Sequence, residues 1–142
     1  MQLAMTSRDR DNVYALWFGR LVLLGVATNM ILAVYGLVAP ASLLALFKLE
    51  PPASLVWPRF SALLLLLLSL FYIPAGLQPL HQPVASILTV AARAAGALFF
   101  GLFPGTAYLP FTLYDLAYGL PQGVLLALAF RHARAAAPGG EA

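Results

Sequence analysis

Four apolar stretches, each about 20 residues long and separated by short proline-bearing connections, occupy the chain from Trp17 to Phe130. They run over residues 17–39, 55–77, 84–103 and 108–130. A helix needs about 20 mostly apolar residues to cross a hydrocarbon core of roughly 30 Å. Pro40, Pro51, Pro52, Pro79, Pro83, Pro104 and Pro110 stand at or near the borders, where helices tend to stop or start. Backbone surrounded by lipid must make its hydrogen bonds internally, which leaves helices and closed barrels as solutions. The leucine run at 63–68 has none of the alternation a barrel strand needs. The sequence therefore predicts an all-α fold, an integral membrane bundle of four transmembrane helices.

Composition agrees. Of 142 residues, 62% are hydrophobic and 9% charged, against roughly 25% charged in a soluble domain. One domain's worth of chain leaves no room for a separate soluble catalytic unit. There is no cysteine, which excludes a disulfide framework, thiolate metal sites and thiol nucleophiles. The two histidines, His81 and His132, fall outside the apolar stretches, so they cannot hold a haem between facing helices. Asp115 has no histidine near it in a span, and no metal site is expected. Ser61, Ser69 and Ser86 lack a base for hydrolysis. The net charge of +3 is spread along the chain, without the basic stripe that nucleic acid requires. No cofactor is called for.

Residues 1–12 form a polar segment with Arg8, Asp9, Arg10 and Asp11, read as a cytoplasmic N-terminus. The long, late apolar run after it reads as a retained signal-anchor rather than a cleaved signal peptide. The Ala/Pro/Gly-rich tail at 133–142 is expected to fray. Four spans put both termini and the 78–83 loop on one side, with Arg8, Arg10, Arg20, Arg131 and Arg134. Lys48 and Arg59 belong to the other side. The positive-inside rule then predicts both termini in the cytoplasm, in a bacterial inner membrane. Between the first two spans, residues 42–50 form a short apolar segment, expected to be an interfacial helix with Ser42 as its N-cap. Trp57 and Tyr108 fit interfacial positions at the same outer side.

Two charges lie deep. Arg93 is about 14 Å into the third span and Asp115 about 11 Å into the fourth, counted from opposite sides at 1.5 Å per residue. A lone charge at the centre of a spanning helix costs about 2.5–3.5 kcal/mol on insertion scales. The short turn between these spans makes them antiparallel neighbours, and an Arg93–Asp115 ion pair is expected. Arg59 competes for the same carboxylate or snorkels to the outer headgroups. Small and polar faces surround the pair: Gly25, Thr28, Asn29 and Gly36 on the first span, Ser86, Thr89 and Gly96 on the third, and Tyr118, Gly119 and Gln122 on the fourth. They read as packing glue, or as a polar pocket in which Asn29, Arg93, Asp115, Tyr118 and Gln122 hold a ligand's head group. Pro121, flanked by Gly119 and Gly123, predicts a kink that frees the carbonyl of Ala117.

The proline-bounded segment after the first span, the Trp57-Pro58-Arg59 entry to the second, Tyr72, Arg93 and Asp115 together resemble the small bacterial four-helix membrane proteins of the DoxX-like type. That resemblance implies a partner-subunit role, since some such proteins are similar to subunits of quinone-linked oxidoreductases. Two functions are thus expected from different classes. The first is a non-catalytic accessory or structural subunit, packed within a larger membrane complex or a homo-oligomer. The alternative is a binder or carrier of a lipid or quinone at Asp115. An enzyme using Asp115 to handle protons ranks third.

Overall fold

The computed structural model describes residues 7–102 and 106–136, with side chains from residue 9 onward. Its helices are α1 (Ser7–Asp11), α2 (Val13–Val38), α3 (Pro40–Leu46), α4 (Val56–Leu77), α5 (Pro83–Leu102) and α6 (Leu109–Ala135), with a 3-10 turn at Thr106–Tyr108 before α6. No strand occurs among the described residues. Helices α2, α4, α5 and α6 are long and apolar enough to cross a membrane. The 20 residues of α5 rise about 30 Å and the 26 of α2 about 39 Å. The fold is an all-α four-helix bundle. α2 packs against α4 and α6, α5 packs against α6, and α4 and α5 touch least, closing a ring in the order α2–α4–α5–α6.

Local chemistry sets where these helices begin, and it moves several expected borders. The first span starts at Val13 rather than at 17 because Asn12 caps it: its Oδ1 accepts from the backbone N–H groups of Tyr14 and Ala15, both at 3.2 Å. The same side chain donates through Nδ2 to the carbonyl oxygen of Ala129, 2.9 Å away, so one residue starts α2 and ties it to the end of α6. The segment at 1–12 is therefore not simply a polar tail in its second half. Asp9 of α1 is fully buried and accepts from the N–H of Leu80 at 3.0 Å, while His81 Nδ1 lies 3.6 Å from its other carboxylate oxygen. α6 runs on to Ala135 through part of the expected tail, and residues 137–142 lie outside the described ones.

The short interfacial helix exists, but Ser42 does not cap it. Ala39 both ends α2, donating to Tyr35 at 2.8 Å, and precedes α3. Pro40 occupies the first helical position, where its fixed φ and missing N–H suit the helix start; Ser42 is exposed within the helix. α3 ends in a Schellman motif. Leu49 N–H donates to Leu44 and Lys48 N–H to Ala45, each at 2.9 Å, with Lys48 in the left-handed region at φ 58°. Phe47 then packs on Phe111 of α6, ring centroids 4.7 Å apart, which draws the α2–α4 connection across the end of the bundle.

The interior is narrow. Phe18, Val22 and Val26 of α2, Tyr72 of α4 and Leu126 of α6 form its apolar cluster. Only 17–33% of the most apolar window of each span is buried, so the bulk of the leucine, isoleucine, valine and phenylalanine surface faces outward, as in a bundle solvated by lipid. Helices in lipid have little hydrophobic drive towards one another and close instead on small residues. Gly36 is one such close approach, against a rigid methyl group: a Cβ there would lie 2.9 Å from Cβ of Ala62 on α4. At Gly123 the nearest atom, Val90 Cγ1, would be 3.5 Å away, an ordinary contact. Alanine gains about 1 kcal/mol of helix propensity over glycine, whereas overpacking against a rigid neighbour costs about 1–3 kcal/mol. Gly36→Ala is therefore expected to lower, and Gly123→Ala to hold or raise, the thermal midpoint of the detergent-solubilised protein.

Candidate functional site

The middle of the bundle carries charge. On α5 the buried residues Ser86, Thr89, Arg93 and Ala97 recur at spacings of three and four, so one stripe of that helix turns Arg93 inward. α6 presents Tyr114, Asp115, Tyr118, Gly119 and Gln122 from the antiparallel direction, and α2 presents Gly25, Thr28 and Asn29. By helix rise Arg93 lies about 14 Å from the end of α5 and Asp115 about 9 Å from the start of α6. The two meet: Arg93 Nη1 donates to Asp115 Oδ1 at 2.8 Å, with side-chain exposures of 5% and 14%.

Aromatic rings complete the guanidinium's surroundings. Its Cζ lies 5.1 Å from the ring centroid of Tyr114 and 5.2 Å from that of Tyr118, within the range of cation–π attraction. The rings themselves are 5.0 Å apart. Tyr114 Oη donates to Asn29 Oδ1 at 2.8 Å. Tyr114 Oη also lies 2.7 Å from Thr28 Oγ1, a hydroxyl that hydrogen-bonds back to the carbonyl oxygen of Gly25 at 3.0 Å. Thr28 Oγ1 also stands 3.4 Å from Tyr118 Oη. Three glycines let the helices close on this group. A Cβ at Gly25 would come within 3.1 Å of Arg93 Nη2 and one at Gly119 within 3.0 Å of Arg93 Cβ, while one at Gly96 would overlap Asp115 Oδ2. Tyr72 of α4 is buried within electrostatic reach of both charges.

Of the residues singled out in the sequence, Asn29, Arg93, Asp115 and Tyr118 come together here. Gln122 is 1% exposed, one turn beyond Gly119, and its Oε1 has no hydrogen-bond partner. Arg93 Nε and Thr112 Oγ1 are likewise buried without one. Arg59 stands apart: it is exposed near the start of α4 and forms no ion pair with Asp115. The carboxylate is reached by Arg93 from the neighbouring helix, leaving Arg59 outside the bundle. α6 continues as one helix through Pro121, which is exposed while its neighbour Gln122 is buried, so the proline sits on the outer side. Among the described residues no group of three His, Cys, Asp or Glu side chains is placed to hold a metal ion.

Sequence reasoning missed the central part of Tyr114. It lies four residues before Tyr118 and beside Asp115, a spacing that reads as a core stripe; only packing shows that its hydroxyl joins α2 and its ring covers Arg93. It also missed the polar cluster of Asp9, Asn12, Leu80 and Ala129 at the end of the bundle that holds the described termini. Comparison of the chain with protein-family models, with curated proteins and with solved structures finds no match.

Chemically the arrangement is a lock. The carboxylate takes one edge of the guanidinium, two phenol rings flank it, and glycine backbones exclude other occupants from those sides. Removing one partner of a buried ion pair leaves the other charge alone and costs about 3–5 kcal/mol, whereas replacing both by apolar residues is often neutral. Arg93→Leu is thus expected to destabilise more than Arg93→Leu combined with Asp115→Leu. Additive losses in a thermal unfolding series would show that the pair is not coupled.

Proposed function

We propose that this chain is a non-catalytic integral membrane protein, an accessory or structural subunit that packs within a larger membrane complex or against its own copies. The observation that carries this reading is the internal use of the mid-bundle charges: Arg93 is bonded to Asp115 and flanked by Tyr114 and Tyr118. The outward faces offer apolar side chains such as Leu24, Ile31, Phe71, Leu98 and Leu120, material for helix packing rather than for chemistry. The reading keeps the likeness to DoxX-like proteins and their partner-subunit role. It places both termini in the cytoplasm of a bacterium, with the spans in its inner membrane. Five Lys/Arg residues on the terminal side (Arg8, Arg10, Arg20, Arg131 and Arg134) against Lys48 and Arg59 on the other support that orientation. Extraction from the native membrane in a mild detergent, followed by mass spectrometry of whatever remains bound, is expected to recover a stoichiometric protein partner or a homo-oligomer. A monodisperse monomer with no protein bound would overturn the reading.

One observation favours a second reading, a binder or carrier of a lipid or quinone. Arg93 Nε is a buried donor without an acceptor and Gln122 Oε1 a buried acceptor without a donor. Buried polar atoms in folded proteins are nearly always paired, and a ligand head group between α5 and α6 would pair these. Under this reading Asp115→Asn, which keeps the side chain's shape and removes its charge, loses a co-purifying lipid or quinone while the helical content is unchanged. Identical lipid extracts from the two proteins would count against it.

A further inference from the structure

Another arginine lies within a long apolar helix. Arg20 is seven residues into α2, about 10 Å along its axis from Val13, and it is exposed on the outside of the bundle. Its guanidinium carbon lies 5.1 Å from the ring centroid of Trp17, which is itself 53% exposed. Among the described residues the ion pairs are His81–Asp9 and Arg93–Asp115, so Arg20 has no carboxylate. The nearest acidic positions in the chain do not serve it. Asp9 is fully buried against Leu80 and His81, and Asp11 makes no ion pair.

An unpaired guanidinium on a lipid-facing surface is costly unless it reaches the headgroup layer. α2 rises about 39 Å, and when centred on a hydrocarbon core of roughly 30 Å it overhangs by about 4–5 Å at each end. Arg20 then lies only a few ångströms inside the boundary. Helical side chains lean towards the helix N-terminus, which carries Arg20 over Trp17 and towards that boundary, and tryptophan itself favours the interfacial layer. The oxygen acceptors at this depth are lipid phosphates, which the arginine fork matches in a bidentate way.

The rest of this end selects the charge of the headgroup. The first turn of α2 adjoins the last turns of α6, through the Asn12–Ala129 hydrogen bond and the edge-on Tyr14–His132 contact at 6.1 Å. Arg131 and Arg134 of α6 and Arg10 of α1 are exposed there as well, and among the described residues none of them forms an ion pair. A zwitterionic headgroup would bring an ammonium group into this field; an anionic one would not.

We propose that Arg20 and Trp17 seat the headgroup phosphate of an anionic phospholipid in the leaflet at the termini's end of the bundle, with Arg10, Arg131 and Arg134 biasing the site against zwitterionic lipid. The site is independent of the subunit reading and of which side of the membrane is cytoplasmic. It is tested by reconstituting the protein into nanodiscs of equal parts phosphatidylglycerol and phosphatidylcholine, then counting retained lipids by native mass spectrometry. The wild type is expected to keep phosphatidylglycerol over phosphatidylcholine. A cation at a negatively charged surface is worth about fivefold in partitioning, so Arg20→Gln is expected to lower phosphatidylglycerol retention about fivefold. Arg20→Lys keeps part of it, Trp17→Leu lowers it, and Arg59→Gln at the opposite end leaves it unchanged. No preference in the wild type, equal retention in Arg20→Gln, or an equal loss in Arg59→Gln would each overturn the proposal. Arg20 and Trp17 are exposed on the outside of the bundle, so helical content should survive these changes; were Arg20→Gln to misfold, the Arg20→Lys and Trp17→Leu measurements decide the question.

Discussion

The Arg93–Asp115 pair organises the bundle because neither charge is stable in its surroundings without the other. An isolated charge in hydrocarbon is disfavoured by several kilocalories, and a pair recovers that only when its geometry is good and the remaining donors are used. The first condition shapes the neighbourhood, while Arg93 Nε stays buried without a partner. The 2.8 Å contact fixes the register of α5 against α6, the rings of Tyr114 and Tyr118 flank the guanidinium, and Tyr114 passes the constraint to α2 through Asn29 and Thr28. One ion pair thereby positions three of the four spans. α4 joins through close packing on α2, by way of Gly36 and Gly76, and through the buried Tyr72.

A second polar cluster holds the bundle at the end that carries the described termini. Asn12 caps α2 and grips α6, and Asp9 captures the turn between α4 and α5. Ser86 adds a hydrogen bond to the carbonyl of Pro79 at 3.0 Å. These contacts lie where water and headgroups compete for donors, so they demand buried geometry to persist; Asp9 and Asn12 are 0% and 3% exposed. The opposite end is held differently, by Phe47, Phe100, Tyr108 and Phe111 stacked at centroid distances of 4.7–6.2 Å. Polar links at one end, a charge lock in the middle and aromatic packing at the other replace the hydrophobic drive that a soluble bundle would use.

That division bears on function. At mid-bundle the Arg93 and Asp115 charges are turned inward and committed to each other, while the buried Arg93 Nε, Gln122 Oε1 and Thr112 Oγ1 atoms have no partner. The surface of the spans is an apolar coat, and the end that carries the described termini has an arginine-rich rim. The subunit and ligand-carrier readings proposed above both start from this division.

Much of this was legible in the sequence, for a simple reason. Span length, apolar content and proline borders report on the solvent, and in lipid the backbone's need for internal hydrogen bonds allows few answers; the four spans and the helix between the first two follow from that alone. The depth of Arg93 and Asp115 was likewise countable, because residues per ångström are constant along a helix. What rotation and side-chain reach decide was not countable. Arg59 sits at a depth where either partner, carboxylate or headgroup, was available, and only the azimuth of α4 put it outside. Ser42 looked like a cap until Pro40 began the helix two residues earlier. Tyr114, Asp9 and Asn12 drew little notice because their partners lie 85, 71 and 117 residues away. The sequence by itself determined four helices long and apolar enough to cross a membrane, with one charge deep in the third and its opposite deep in the fourth. Tertiary structure alone decided which faces meet, because small differences in helix rotation choose among polar neighbours that a one-dimensional pattern leaves equal.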